Sequence, residues 1–430
     1  MGGSVAGLSA AAALTGLARS VTLLERDPDP RDATPRKGTP QCHHAHVLLN
    51  LGARSLAVLF PGVLDELRAR GGGLCDAADT AWCIHDEWRP RFAKGVQLRL
   101  QTRPLLEACL REDLQARSGV SLRFDAAIDE PVFDAAAGEV RGVRLASGEV
   151  LAADLVVDAT GRGTRSPTWF ERWGLARPEE QIVEVGVGYV SALFEIPEGI
   201  VPSDVLMISP NPPHNRRGGV CFRVEGQRWM VTLYGYHGDH APTDLAGFVA
   251  WSSGLARPEL HRVLLVSRPL GELRKFTYPR QVRWRYEDLP RLPGGYVVHG
   301  DAVCSFDPVY GQGMSVAAAE AVALRDVLSK QGPDVCAIQA AFARILDTPW
   351  QSTCTEAHLW AETRGWRPSG TRLLQRFTER MHRVGATDHE VFAAFLDVVH
   401  LDRPPTSLFT PRILWKLARG PASRPPAANE

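Results

Sequence analysis

The sequence predicts a mixed α/β (α+β) protein: a Rossmann-like dinucleotide-binding domain, an inserted and mostly antiparallel β-sheet domain, and a helical C-terminal region. Three observations predict it. A glycine turn, a helix of small residues and a strand ending in an acid fill Gly2 to Glu25. A short apolar strand, an irregular turn and a second small-residue helix recur over Gly295 to Leu328. Between them, residues 168–290 change to short strands parted by Pro- and Gly-rich turns, the signature of an antiparallel sheet set into an α/β frame.

Composition narrows the class. A chain of 430 residues exceeds one average domain, so two interleaved or consecutive domains are expected. Hydrophobic content of 44% and charged content of 23% are ordinary for a globular enzyme. Lys plus Arg (49) balances Asp plus Glu (49), so no overall field recruits nucleic acid or an anionic membrane. No apolar run is long enough to span a bilayer, and no stable membrane insertion is expected. The eight cysteines form no C-x-x-C pair and no zinc spacing. With no secretory leader in view, such scattered thiols point to the reducing cytoplasm.

Taken in order, Gly2-Gly3-Ser4-Val5-Ala6-Gly7 fits a dinucleotide-binding loop with Ser in place of the second glycine. Strand Val21 to Leu24 follows, and Glu25 stands where an acid bonds an adenosine ribose, with Arg26 beside it. The strand that normally precedes such a loop is missing because the sequence starts at Met1; the expectation is a truncated first strand. Residues 28–48 read as a loop in which Arg36 and Lys37 are placed to neutralise phosphates. His43, His44 and His46 invite a metal, but no Cys, Asp or Glu completes a set, so none is expected. His44 and His46 are instead candidates for packing and proton handling around a cofactor, with plain loop histidines as the alternative.

Residues 81–100 alternate as strands of a half-exposed sheet, and Thr102-Arg103-Pro104 starts a helix burying Leu105, Leu106, Leu110 and Leu114. Arg103 at a helix N-terminus is unfavourable unless an anion is bound there too, which hints at phosphate. Residues 120–157 read as a β-meander, and Asp158 to Gly163 as a second glycine turn able to approach a cofactor. In the inserted sheet Tyr189, Phe222, Trp229, Tyr234 and Tyr236 are candidates for an apolar pocket. Strand 296–299 ends at Asp301, whose acid can hold sugar-like hydroxyls; Pro308 lies in the irregular segment beyond. Gly311, Gln312, Gly313 and Met314 open the next helix, where glycines admit a flat ligand and free N–H groups favour negative charge. Helices over 334–400 follow, packed by Trp350, Trp360 and Trp366.

These elements divide the chain into a cofactor-binding domain (1–80, 103–167 and 276–333), a substrate domain (81–102 and 168–275), a helical region (334–417) and a disordered tail (418–430).

Gly2 to Glu25, Asp154 to Gly163 and Tyr296 to Gly313 stand in the order and spacing of the FAD-dependent aromatic hydroxylases, and the chain resembles that para-hydroxybenzoate hydroxylase-like superfamily over residues 1–330. The runs Arg36 to His46 and Gly300 to Ser315 look like a bacterial subfamily similar to polyether epoxidases. The resemblance implies a monooxygenase that inserts one oxygen atom from O2 into an apolar or aromatic small molecule, by hydroxylation or epoxidation, through a flavin C4a-hydroperoxide. It implies Asp301 on the ribityl chain, Gly311 to Gly313 under the flavin's pyrimidine edge, Arg103 near the pyrophosphate and Glu25 on the adenosine ribose. NAD(P)H or a separate flavin reductase would supply electrons. The family's Asp-Gly pair is Thr160-Gly161 here, which favours the separate reductase. A reductase of the geranylgeranyl type and a non-catalytic flavin-binding protein are the alternatives. A flavin-dependent halogenase would show a W-x-W-x-I-P run, absent here.

Overall fold

The computed structural model describes residues 1–30 and 32–421. The chain opens with α1 (Val5–Leu14) and β1 (Val21–Leu24). Residues Leu8 to Ala13 of α1 are all buried, because small side chains let the helix lie close to its neighbours. Next come α2 (Asn50–Leu59), α3 (Val63–Ala69), β2 (Gly73–Asp76), β3 (Ala81–Ile84), β4 (Glu87–Trp88) and β5 (Gln97–Leu100). The helix α4 (Arg103–Gln115) starts where the sequence predicts, with the Thr102 hydroxyl accepting from Leu105 N–H.

β6 (Val120–Arg123) leaves the expected meander: it pairs in parallel with β1, Val21 opposite Val120. The meander is confined to β7 (Ile128–Asp134), β8 (Glu139–Leu145) and β9 (Val150–Ala152). β10 (Val156–Asp158) pairs in parallel with a distant strand (Tyr296–Val298). Met1 and Gly2 join these two parallel pairs. The terminal amine donates to Val157 O at 2.8 Å, Ala159 N–H to Met1 O at 2.9 Å, and Gly2 N–H to Leu24 O at 2.8 Å.

After α5 (Ser166–Arg172) the large sheet begins with β11 (Glu179–Glu195), the long central strand. β12 (Val205–Ile208), β13 (Arg217–Val224), β14 (Arg228–Tyr236), α6 (Leu245–Ser252), α7 (Glu259–Leu265), β15 (Arg268–Pro269) and β16 (Arg274–Arg285) follow. Beyond them lie β17 (Tyr296–Val298), β18 (Cys304–Ser305), α8 (Gly313–Gln331), α9 (Val335–Ala357) and β19 (Arg364–Gly365). The sheet runs β18-β16-β11-β14-β13-β12-β3-β4, with β15 and β19 also on β11. It is antiparallel except where β12 lies beside β3. β16 is one strand over Arg274–Arg285, so it crosses the expected domain boundary at residue 276.

Register decides which side chains share a face. Tyr189 stands opposite both Tyr234 and Phe276, Val187 opposite Tyr278, and Ser191 opposite Thr232. Side chains alternate along each strand, so these residues of β11, β14 and β16 lie on one face. The C-terminal α10 (Thr371–Gly385), α11 (His389–Val399) and α12 (Pro411–Arg419) pack their own small core. Trp350 and Trp360 are buried, and Trp366 N–H bonds Ile182 O on β11 at 2.7 Å. Residues 418 and 419 of the expected tail are helical; 422–430 lie outside the described residues.

Candidate functional site

A cavity of about 740 Å³ runs from the turn before α1, past the N-terminus of α8, to the aromatic face of the large sheet. Gly2, Gly3, Ser4, Glu25, Arg26, Arg36, His44, His46, Arg103, Asp301, Pro308, Gly311, Gln312, Gly313 and Met314 all line it. Gly7 does not. A Cβ there would sit 1.7 Å from Gly2 O, so this glycine lets α1 close against its own leading turn, a packing role where contact with a ligand was expected.

At the end nearest α1 the charges are tightly organised around Glu107, on α4. Its carboxylate accepts from Arg36 (Nη2 at 2.8 Å), Arg103 (Nε at 2.9 Å) and the Ser4 hydroxyl (2.6 Å). Burial would raise its pKa, but Arg103 and Arg36 prevail and hold it at about 2. Arg36 also bonds Glu25 (3.0 Å) and lies 3.7 Å from Asp27. Its charge is therefore met by protein carboxylates, where the sequence suggested a phosphate, while the residue still lines the cavity. Lys37 points to solvent. Glu25 accepts from Gly3 N–H at 2.6 Å and Asp27 N–H at 2.9 Å, which pins the acid at the end of β1 against the glycine turn. Arg103 reaches further, with Nη2 on Ser4 Oγ (2.6 Å) and Nη1 on His46 Nε2 (3.3 Å).

Both histidines are neutral. Nδ1 of His46 bonds His44 O at 2.9 Å; a carbonyl only accepts, so Nδ1 carries the proton and Nε2 takes the Arg103 N–H. Burial and the adjacent Arg103 drop its pKa to about 3. Both of its nitrogens are thus engaged by the protein. His44 is more deeply buried, with Nδ1 2.7 Å from Ser191 Oγ. Burial first, then His43, pushes its pKa down to about 4.

Where β17 ends and α8 begins, burial raises the Asp301 carboxyl above its ordinary value against the pull of Arg103 and Arg162. Asp307 accepts from Val309 N–H and the Tyr236 hydroxyl, each at 3.0 Å, and burial lifts it to about 6. The second glycine turn, Ala159 to Gly163, also lines the cavity. It is tied down by Asp158, which accepts from Thr160 N–H (2.9 Å), Thr164 Oγ1 (2.6 Å) and Tyr296 Oη (3.3 Å). Opposite α8, the wall is Tyr189, Phe276 and Tyr278. The Arg162 guanidinium lies 5.2 Å from the Phe276 ring centre and 4.9 Å from that of Tyr278. Of the aromatics singled out in the sequence, Tyr189 alone lines the cavity. Phe222 and Trp229 pack in other cores, and Tyr234 and Tyr236 are buried behind it.

The comparisons fit this geometry. Protein Rv3254 of Mycobacterium tuberculosis (strain ATCC 25618 / H37Rv) is 32% identical over 405 residues, 87% of this chain and 84% of that one. Kynurenine 3-monooxygenase of Salinispora arenicola (strain CNS-205) is 27% identical over 370 residues, 80% of this chain and 74% of that one. Among solved structures, PqsL of Pseudomonas aeruginosa, a probable FAD-dependent monooxygenase, superposes with a TM-score of 0.62 at 17% identity, covering 92% of this chain and 98% of that one. 2-Methyl-3-hydroxypyridine-5-carboxylic acid oxygenase does so at 0.61 and 20% identity, covering 94% and 96%. The chain belongs to one family with Protein Rv3254, and its fold is that of the FAD-dependent monooxygenases PqsL and 2-methyl-3-hydroxypyridine-5-carboxylic acid oxygenase. No protein-family model matches it. Among the described residues, no helix is long and apolar enough to cross a membrane.

Sequence reasoning missed three parts of this site. Glu107 sits four residues after Arg103 on α4, a spacing that places two side chains on one helix face and was readable. Phe276 and Tyr278 had been assigned to the cofactor domain. Only the pairing of β16 with β11 brings them into the wall. The Ser191–Thr232 pair behind His44 depends on sheet register and leaves no local trace.

Proposed function

We propose that the protein binds FAD along this cavity and inserts one atom of O2 into an apolar or aromatic small molecule bound at its far end. The observation that carries the reading is continuity: one cavity joins the glycine turn of α1, the N-terminus of α8 and the aromatic wall. Glu25 would take the adenosine ribose, Arg103 and the N-terminus of α1 the pyrophosphate, and Asp301 the ribityl hydroxyls. Ser4 at the N-cap of α1 makes no side-chain cap bond to its own helix, so those N–H groups remain for an anion. Gln312 makes none to α8 either, and its buried Oε1 has no partner. That oxygen suits an N–H on the pyrimidine edge of a flavin lying over Gly311 to Met314.

Bound FAD supplies the redox chemistry that activates O2. The chain supplies the surroundings. The dipole of the 19-residue α8 stabilises negative charge on the ring beside it. Tyr189, Phe276 and Tyr278 exclude water and hold a flat substrate. PqsL has been solved with 2-aminobenzoylacetate, an aromatic molecule, which supports an aromatic substrate here. The likeness of residues 300–315 to polyether epoxidases supports an electron-rich double bond as an alternative acceptor. Thr160 in place of an acid supports reduction by a separate flavin reductase.

The test is a visible spectrum of the purified protein with added FAD, then oxygen consumption with NAD(P)H alone and with a flavin reductase. Bound-flavin bands and reductase-dependent oxygen uptake are expected; the absence of any flavin bands would overturn the reading.

A further inference from the structure

Behind the aromatic wall, the Ala45 N–H donates to Thr232 Oγ1 at 3.1 Å. Thr232 Oγ1 lies 2.7 Å from Ser191 Oγ, which in turn lies 2.7 Å from His44 Nδ1. Ser191 and Thr232 are buried, so each hydroxyl proton needs an acceptor inside this chain of atoms. Thr232 already accepts from Ala45, and its remaining neighbour is Ser191. The Thr232 O–H therefore donates to Ser191, and the Ser191 O–H is left to donate to His44 Nδ1. Reversing the direction strands the Thr232 proton without an acceptor, which disfavours that arrangement about tenfold or more. An Nδ1 that accepts places the proton of the neutral ring on Nε2. The ring lines the cavity, and no described residue hydrogen-bonds to Nε2.

We propose that Thr232 and Ser191 lock His44 as the Nε2–H tautomer, making it a fixed hydrogen-bond donor to an ionised or strongly accepting oxygen of the substrate, a phenolate or enolate. This replaces the proton-handling role expected for His44. The same end of the cavity supports that ligand class. The Arg162 guanidinium lies over Phe276 and Tyr278 with no carboxylate partner among the described residues. The Tyr189 hydroxyl is buried without a partner. Asp301 and Asp307, the carboxylates lining this half, belong to the α8 side, and Asp307 is already occupied by Val309 and Tyr236. His44 is the contacting residue; Ser191 and Thr232 are positioning residues that act through it. The proposal rests on reading this end as the substrate site.

The experiment has two arms on the FAD-loaded protein. In the first, 15N-histidine spectra, with His44 identified by its loss in His44→Gln, should show Nε2 protonated and Nδ1 bare from pH 6 to 8, and Ser191→Ala should release that tautomer. In the second, 4-nitrophenol is the probe, because its yellow ionised form reports on itself. The wild type should bind the phenolate and lower its apparent pKa. His44→Gln, whose amide N–H stands in for Nε2–H, should keep affinity within about threefold, whereas His44→Phe should lose about tenfold or more, the worth of a hydrogen bond to a charged group. Thr232→Val should weaken binding while leaving the flavin bands unchanged. An Nδ1–H or doubly protonated ring, equal losses in the Gln and Phe variants, or no phenolate binding beside normal flavin bands would overturn the proposal. Missing flavin bands would instead overturn the functional reading, while the histidine spectrum still decides the tautomer.

Discussion

Glu107 is the residue on which the charged end of the cavity turns, and its environment makes its removal costly. It is buried and satisfies Arg36, Arg103 and Ser4 together. Glu107→Gln keeps the shape but leaves two guanidinium groups short of charge, so a loss of about 3 kcal/mol is expected. Thermal unfolding should show it, together with weaker FAD binding in a titration. The pKa of about 2 sets the sign of its pH dependence. A carboxylate depressed in the fold contributes stability above its ordinary value of 4.5, and that contribution disappears as pH falls towards 2. Glu320 on α8 behaves oppositely. It is fully buried, accepts from Gly300 N–H at 2.8 Å, and burial raises it to about 8 from 4.5. The folded state holds that proton where the unfolded chain has lost it, so its contribution falls as pH rises from 4.5 to 8. The buried histidines titrate the other way below pH 6.5, so the clean readout is a difference. Glu320→Gln should gain on the wild type steadily between pH 5 and 8 in urea midpoints. A difference flat with pH would refute this. Arg103 was legible in the sequence as a cation at a helix N-terminus, though the anion it meets in the structure is Glu107 and not the expected phosphate. The wiring of Glu107 was not, since Arg36 and Ser4 reach it from distant parts of the chain.

At the scale of elements, α8 does the positioning, and its closeness to α2 is what permits it. A Cβ on Gly52 of α2 would come within 2.5 Å of Ser315 Oγ and 2.7 Å of Ser315 Cα. Leu49 N–H meanwhile donates to that Oγ at 3.0 Å. Gly52→Ala must therefore push the start of α8 outward. Overpacking of this kind costs about 1–3 kcal/mol, and because the displaced turn is the one facing the cavity, FAD affinity should fall along with the melting temperature. An unchanged affinity in a titration would show that α8 relaxes without moving Gly311 to Met314. Helices α1, α4 and α8 and strands β1 and β17 were readable because each carries its own local signals: caps, small-residue runs and a short apolar stretch ended by a turn. β6 was misjudged as part of a meander because a four-residue strand does not announce its partner, and parallel pairing with β1 is a long-range choice.

Across the whole molecule, the large sheet is tied through β11 to the segments that follow α8. Trp350 is 1% exposed and donates from Nε1 to Gln181 Oε1 on β11 at 3.1 Å. β19 adds a two-residue ladder to the same strand. Trp350→Ala should cost about 3–5 kcal/mol. Because β11 also carries Tyr189 and Ser191, flavin release and loss of secondary structure should coincide on heating. Two separated transitions would mean that the helical region unfolds independently. Local sequence settles the class of fold and the shapes that line the cavity: a glycine turn before a small-residue helix, an acid at the end of a strand, and a helix opening on glycines. Each is set by backbone freedom, capping and periodicity within a few residues. Only the tertiary structure decided which charges cancel around Glu107, which aromatic residues form the wall and which hydroxyls stand behind His44. Those outcomes depend on strand register and on contacts between residues far apart in the chain, and no local propensity encodes them.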